Sequence, residues 1–221
     1  MPRIPSEPLV PLAKPVSGIP DGSIATLKRK ARDCRACSLW KPATQTVFGE
    51  GPADAEIMLI GEQPGLQEDI EGEPFVGPAG RVLDRALVEA GLDRASLFLT
   101  NTVKHFKYEQ RGTAKLHKRA NAAEQAACRM WLAAELARVR PKIVIALGAM
   151  AAQTLFGNAF RLTRERGEWR ALGEHAVGMA TWHPSAILRG RDRSQAMYRQ
   201  LVGDLRTVRE HSTSGAERKT L

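Results

Sequence analysis

A chain of 221 residues with 43% hydrophobic and 26% charged content can bury one good core, so a single globular domain is expected rather than a fibrous or disordered polypeptide. Its 33 lysines and arginines against 24 acids leave a formal charge of +9, which favours an anionic partner, with nucleic acid ahead of an acidic membrane surface. No apolar run approaches the roughly 20 residues of a membrane span, and no membrane association is expected.

The first twenty residues carry six prolines and no uninterrupted apolar stretch. They read as an extended, poorly ordered arm over 1–22 rather than an export signal, and the cytoplasm, near the nucleoid, is the expected compartment. A short helix is expected over 23–34, starting at Ser23. "AEIMLIG" (55–61) is a continuous apolar run ending in glycine, as in a strand buried on both faces. "GRVLDRALVEAG" (80–91) has helical spacing with Gly91 as its C-cap, and "SLFLTN" (96–101) reads as a second strand. Residues 121–139 form the clearest helix, with Asn121 at the N-cap and Glu124 three residues later. "KIVIALG" (142–148) is a third strand leading into a helix over "AMAAQTLFG", and "HAVGMATWH" (175–183) is a fourth. An amphipathic helix over 194–210 closes the domain (23–210), and 211–221 reads as a disordered tail. Strands alternating with helices predict an α/β fold of three layers, α/β/α, around a mostly parallel four-stranded sheet. In such sheets function collects beyond the C-terminal strand ends.

Three polar stretches follow strand ends here: "GEQPG" (61–65), "NTVKH" (101–105) and "HPSAILR" (183–189). The first presents Glu62 and Gln63. A carboxylate in a basic protein can orient water, act as a base or stabilise a developing cation, and it can equally stabilise a turn. Phe75, among small residues in "PFVGPAG", suits stacking on a flat ring or ordinary core packing. Ile187 and Leu188, followed by Arg189 and Arg191, suit a wedge entering a base stack or packing under their own loop. Cys34 and Cys37 form a C-x-x-C, and Cys128 lies in the long helix. Three thiolates leave one tetrahedral position that His105 or His117 could fill. By spacing alone zinc and an iron–sulfur cluster are equal, and an unliganded Cys128 is the plain alternative.

In order and spacing, "GEQPG", "PFVGPAGR", "TNTVK" and "HPSAILR" resemble the motifs of the uracil-DNA glycosylase superfamily, in its iron–sulfur family 4 branch, from about Cys34 to about residue 208. Two departures are similar to the X-type uracil-DNA glycosylases, together with Gln63 in "GEQPG". His105 stands where family 4 has a cysteine, and a longer basic stretch contains "RGTAKLHKR". The X-type loop usually reads "KRRIH", where this chain has "TAKLH".

The resemblance implies a uracil-DNA glycosylase-like domain. It implies a 4Fe–4S cluster on Cys34, Cys37, His105 and Cys128, with zinc as the runner-up. Phe75 would stack on a flipped uracil, Asn101 would bond its polar edge, His183 would donate to O2, and Glu62 and Gln63 would lie near C1′. Lys115, Lys118, Arg119, Leu188 and Arg189 would contact uracil-containing DNA, single strands being preferred, with the protein a monomer. His117 would attack C1′ and remain linked to the abasic site, so that each molecule acts once. The alternatives are a turnover enzyme of the family 4 kind and a metal-bearing DNA-binding module with an inactive pocket.

Overall fold

The computed structural model describes residues 10–217, with side chains to residue 212. Its centre is a five-stranded sheet in the order β2-β1-β5-β7-β6. These strands are β1 (Ile57–Gly61), β2 (Phe98–Asn101), β5 (Ile143–Leu147), β6 (Arg170–Leu172) and β7 (Ala176–Thr181). The first four of that order are mutually parallel, and β6 is an antiparallel edge on β7. The four expected strands are all present within their expected bounds, and the edge strand is the correction to the four-stranded sheet. Three residues are too few to display a period, and Arg170 at its start carries an ion pair to Glu165 at 2.6 Å rather than a core side chain.

The layers follow from residue alternation along β1. Ile57 and Leu59 face one core, which includes Leu83 and Leu87 of α3 (Pro78–Ala90) and Leu201 and Leu205 of α8 (Ser194–Glu217). Met58 and Ile60 face the other, which includes Leu132 and Leu136 of α4 (Ala122–Val139) and Leu155 of α5 (Ala149–Phe156). Both faces being covered, the strands need no polar side, which is why they read as unbroken apolar runs. α4 begins as its sequence requires: Asn121 Oδ1 accepts the Glu124 N–H at 2.9 Å and Glu124 Oε2 accepts the Asn121 N–H at 2.7 Å. A third apolar cluster packs α1 (Ile24–Arg32) and the Cys34–Leu39 segment onto α4 through Leu27, Ala31, Cys128 and Trp131.

Other stretches differ from expectation. The basic insertion is not an open loop but an antiparallel hairpin of β3 (Tyr108–Arg111) and β4 (Ala114–His117), with Tyr108 opposite His117 and Gly112 turning at φ 57°. A lone hairpin is marginal in water. This one is braced by the Phe106–Tyr108 ring stack, centroids 5.2 Å apart, and by the Tyr108 hydroxyl donating to Pro42 O at 3.1 Å. Residues 10–22, expected within the arm, include Val10, fully buried in the second core, and Ala13, whose N–H donates to Thr154 O at 3.0 Å. Residues 1–9 of that arm lie outside the described residues. α8 continues past the expected end at 210 to Glu217, and residues 218–221 of the expected tail are not described. Short helices α2 (Leu66–Glu71), α6 (Leu162–Glu165) and α7 (Pro184–Leu188) complete the fold. Among the described residues no helix is long and apolar enough to cross a membrane.

Candidate active site and thiol cluster

The parallel strands end together, and the segments that leave them wall a cavity of about 540 Å³. Its lining includes Glu62, Gln63, Phe75, Asn101, His117, His183, Leu188 and Arg189. That volume accommodates a nucleotide. Asn101 is the last residue of β2 and pairs in register with Gly61 of β1. A Cβ at Gly61 would stand 2.4 Å from Asn101 Oδ1 and 2.6 Å from Phe75 Cζ, so glycine there is what lets the amide and the ring approach each other.

Phe75 is buried and belongs to the first core cluster, so packing and pocket-lining are both true of it. Its backbone is left-handed at φ 60°, a strained conformation for a bulky residue. Two devices hold it. Arg94 donates to the carbonyls of Pro74 and Phe75 at 3.2 and 3.4 Å, and Gly80 lies so close that a Cβ would meet Phe75 O at 1.8 Å. Glu68, buried in α2, accepts the N–H groups of Gly65 at 3.0 Å and Gly77 at 2.7 Å, binding the "GEQPG" turn to the "PFVG" turn.

His183 leaves β7 and caps α7. Its Nδ1 accepts the Ser185 N–H at 3.1 Å, so that nitrogen is unprotonated and the ring's proton sits on Nε2. Burial pushes its pKa down to about 4, with Arg189 and His117 adding to the shift while Glu62 and Glu68 oppose it. At neutral pH His183 is therefore a neutral donor. Glu62 is half-buried, and its Oε1 accepts the Met150 N–H at 3.3 Å in the first turn of α5, where the helix dipole favours a carboxylate.

His117 ends β4 at the cavity mouth, its ring 5.9 Å from Phe106. It is open to solvent on one side. Desolvation by the surrounding protein lowers its pKa, Arg189 adds to this, and Glu62 and Glu68 oppose it. Gln63 is buried, and its amide is fully engaged: Nε2 donates to Lys118 O at 2.9 Å and Oε1 accepts the Ala120 N–H at 2.7 Å. It therefore fixes the chain just beyond His117.

The DNA-contact candidates divide. Leu188 is 52% exposed at the rim beside Arg189, whereas Ile187 is buried under the loop. Lys115, Lys118 and Arg119 are not in the cavity wall. Lys115 lies 4.6 Å over the Tyr108 ring, and Lys118 pairs with Glu109 at 2.6 Å. Glu68, Arg81 and Ser185 also line the cavity; an acid in a short helix, a helix arginine and a serine after proline carry no spacing signal that marks them as site residues.

The three cysteines gather in the third apolar cluster. Among the described residues no group of three or more His, Cys, Asp and Glu side chains has metal-holding geometry. The donor chemistry of the thiols nevertheless fits a shared cation. Cys128 is buried, its thiol pushed up to about 12 chiefly by burial, with Cys34 and Cys37 adding to the rise. Trp131 Nε1 donates to Cys34 Sγ and the Lys104 N–H to Cys128 Sγ, each at 3.2 Å, which are the contacts that thiolate ligands take. His105 is buried, with its Nε2 3.0 Å from Thr46 Oγ1, and burial lowers its pKa, with Asp69 opposing and Arg35 adding.

The fold thus sets a cavity beyond its strand ends, walled by a buried phenylalanine, an amide and a neutral imidazole, in the place where α/β proteins bind their ligands. The family model described as the uracil DNA glycosylase superfamily matches residues 48–206, and the chain belongs to that family. It is 36% identical over 193 residues to the type-4 uracil-DNA glycosylase of Saccharolobus solfataricus, covering 84% of each chain. To the enzyme of that name from Sulfurisphaera tokodaii it is 34% identical over 174 residues (75% of this chain, 76% of the relative). To that from Thermotoga maritima it is 35% identical over 183 residues (81% and 89%).

Proposed function

We propose that the chain is a DNA N-glycosylase that excises uracil from DNA and releases it with turnover. The observation that carries this is the meeting of Glu62, Phe75, Asn101 and His183 in one cavity. The target bond is inaccessible in stacked DNA, so the nucleotide is extruded first, which costs less from single strands than from a duplex. Phe75 stacks on the base and Asn101 bonds its polar edge. As the C1′–N1 bond breaks, its electron pair passes to the base, and the Nε2–H of His183 donates to the developing charge on uracil O2. Glu62, on the sugar side, offsets the oxocarbenium character at C1′. Water then adds to C1′ and loses its proton. The relatives' type-4 name supports this outcome.

His117 favours a second reading, because it lines the same cavity within electrostatic reach of Glu62 and His183. In that reading its neutral imidazole, not water, forms the bond to C1′, and the protein stays attached, as in the X-type enzymes. A denaturing gel of protein mixed with uracil-containing oligonucleotide separates the two. Free uracil in excess over protein and no heat-stable shifted band support turnover. A stoichiometric band that His117→Ser abolishes, with uracil release retained, supports attachment.

We further propose a 4Fe–4S cluster on Cys34, Cys37 and Cys128, with zinc as the alternative. His105 would complete the set through a ring nitrogen, its Nε2 lying 3.0 Å from Thr46 Oγ1. When bound, the group supplies a structural cross-link between the N-terminal segment and α4 rather than a redox step. Iron and zinc analysis, with the visible absorption spectrum, distinguishes the two metals. DNA binding is assigned to Lys115, Lys118, Arg119, Leu188 and Arg189.

A further inference from the structure

Behind Asn101 the core holds an ion pair that the excision steps above do not use. Lys104 and Glu135 are both fully buried, with Lys104 Nζ 2.7 Å from Glu135 Oε2. The same ammonium donates to Thr100 Oγ1 and to the main-chain carbonyl of Asn101, each at 2.7 Å. All three of its protons thus have acceptors. Glu135 is satisfied too: Oε1 accepts the Gly49 N–H at 2.9 Å, and Oε2 accepts the Thr100 hydroxyl at 2.8 Å.

Stability does not account for this pair. A buried ion pair is generally matched or exceeded in stability by apolar residues of similar volume. Apolar residues could fill the space, but they could not hold the Asn101 carbonyl. Lys104 reaches back three residues to do so, closing the end of β2 through a side chain. The intervening residues are tied to the neighbouring strand end, Thr102 N–H to Gly61 O at 3.0 Å and Val103 N–H to Glu62 O at 3.1 Å. The Asn101 amide stands against Gly61. Without Lys104 the carbonyl of Asn101 loses this donor, and its peptide is held from one side only, by the Thr102 N–H on Gly61 O.

We propose that Lys104, with Glu135 as its counter-charge, is a positioning residue that fixes the main chain of Asn101, so that the amide meets the target base in one orientation. The inference rests on the reading of Asn101 as the group that recognises uracil. It predicts that Lys104 matters only through Asn101.

The test is a double-mutant cycle on a uracil-containing single strand, with kcat and KM measured separately. Lys104→Met combined with Glu135→Leu removes both charges at similar volume. This variant is expected to melt below wild type, because the buried Gly49 N–H loses its acceptor, yet to stay folded and to lose on the order of 10²-fold in kcat/KM at a temperature well below its melting point, the loss expected for a contact misplaced by about 1 Å. In an Asn101→Ala background the same two changes are expected to cost less than about twofold, within the scatter of independent effects. Equal losses in both backgrounds, or full activity of the Lys104→Met/Glu135→Leu variant, overturn the proposal. Lys104→Gln, which keeps N–H donors near the same acceptors, enters the same cycle, so the result does not depend on one variant's folding. For it too, a loss that disappears with Asn101→Ala supports the proposal and an additive loss overturns it. Wild-type protein that releases no uracil rejects the excision reading itself, an outcome distinct from additivity among active variants.

Discussion

At Gly61 the missing side chain lets the Asn101 amide and the Phe75 ring approach each other. Its Cβ position lies within 2.6 Å of both the Asn101 amide and the Phe75 ring, so Gly61→Ala has to displace one of them. The overpacking is expected to destabilise the fold by about 1–3 kcal/mol. Uracil release is expected to fall far more steeply than the melting temperature, and comparing the two shows whether the pocket rather than the sheet was damaged. His183 has a second measurable signature. Its pKa of about 4 lies below the value of 6.5 that the unfolded chain is taken to have, so on acidification the unfolded chain takes up the proton first. The stability this confers is fully present above about pH 6.5 and is lost as pH falls toward 4, by an amount on the order of 2–3 kcal/mol. Urea titrations at pH 7 and pH 4.5 are expected to show a larger loss for wild type than for His183→Asn. That variant should also lose about 10²–10³-fold in kcat if the imidazole stabilises the departing base.

Between elements, the buried amide of Gln63 joins the turn after β1 to the chain leaving the β3–β4 hairpin. Gln63→Ala leaves the buried Ala120 N–H without its acceptor, a local loss of about 1–3 kcal/mol. Hydrogen exchange at Ala120 and its neighbours is expected to accelerate while the central strands stay protected; unchanged exchange would show that the hairpin is held by other contacts. The sequence made this level only partly legible. The parallel strands could be read because burial on both faces leaves unbroken apolar runs such as "IMLIG", and α4 because Asn121 and Glu124 announce its start. Glu62, Asn101 and His183 are legible because each stands at or just beyond the end of a strand, and the fold brings those ends together. The hairpin is hidden because its strands, Tyr108–Arg111 and Ala114–His117, are four residues each and largely exposed, and part of their support comes from Pro42 and Gln63, far away in sequence. The engagement of Gln63 and the left-handed Phe75 depend on contacts across the fold and leave no local pattern.

Across the whole molecule, the charge of +9 favours a polyanion, while in the proposed function the cavity takes one base of it. These two demands separate experimentally. If about three phosphates of a single strand are neutralised around Arg189 and the exposed hairpin, the slope of log affinity against log salt is near −2. Arg189→Ala is expected to flatten that slope by nearly one phosphate contact without changing base preference. A change in base preference with an unchanged slope would place Arg189 in the pocket's chemistry instead. The central claim is that this cavity removes uracil from DNA and then frees itself. The most direct test counts the free uracil released per molecule of protein from excess single-stranded uracil DNA. Many uracils per protein are expected, and none from the matching thymine strand. One uracil per protein followed by arrest would contradict turnover and favour attachment through His117, and no release at all would contradict the excision function.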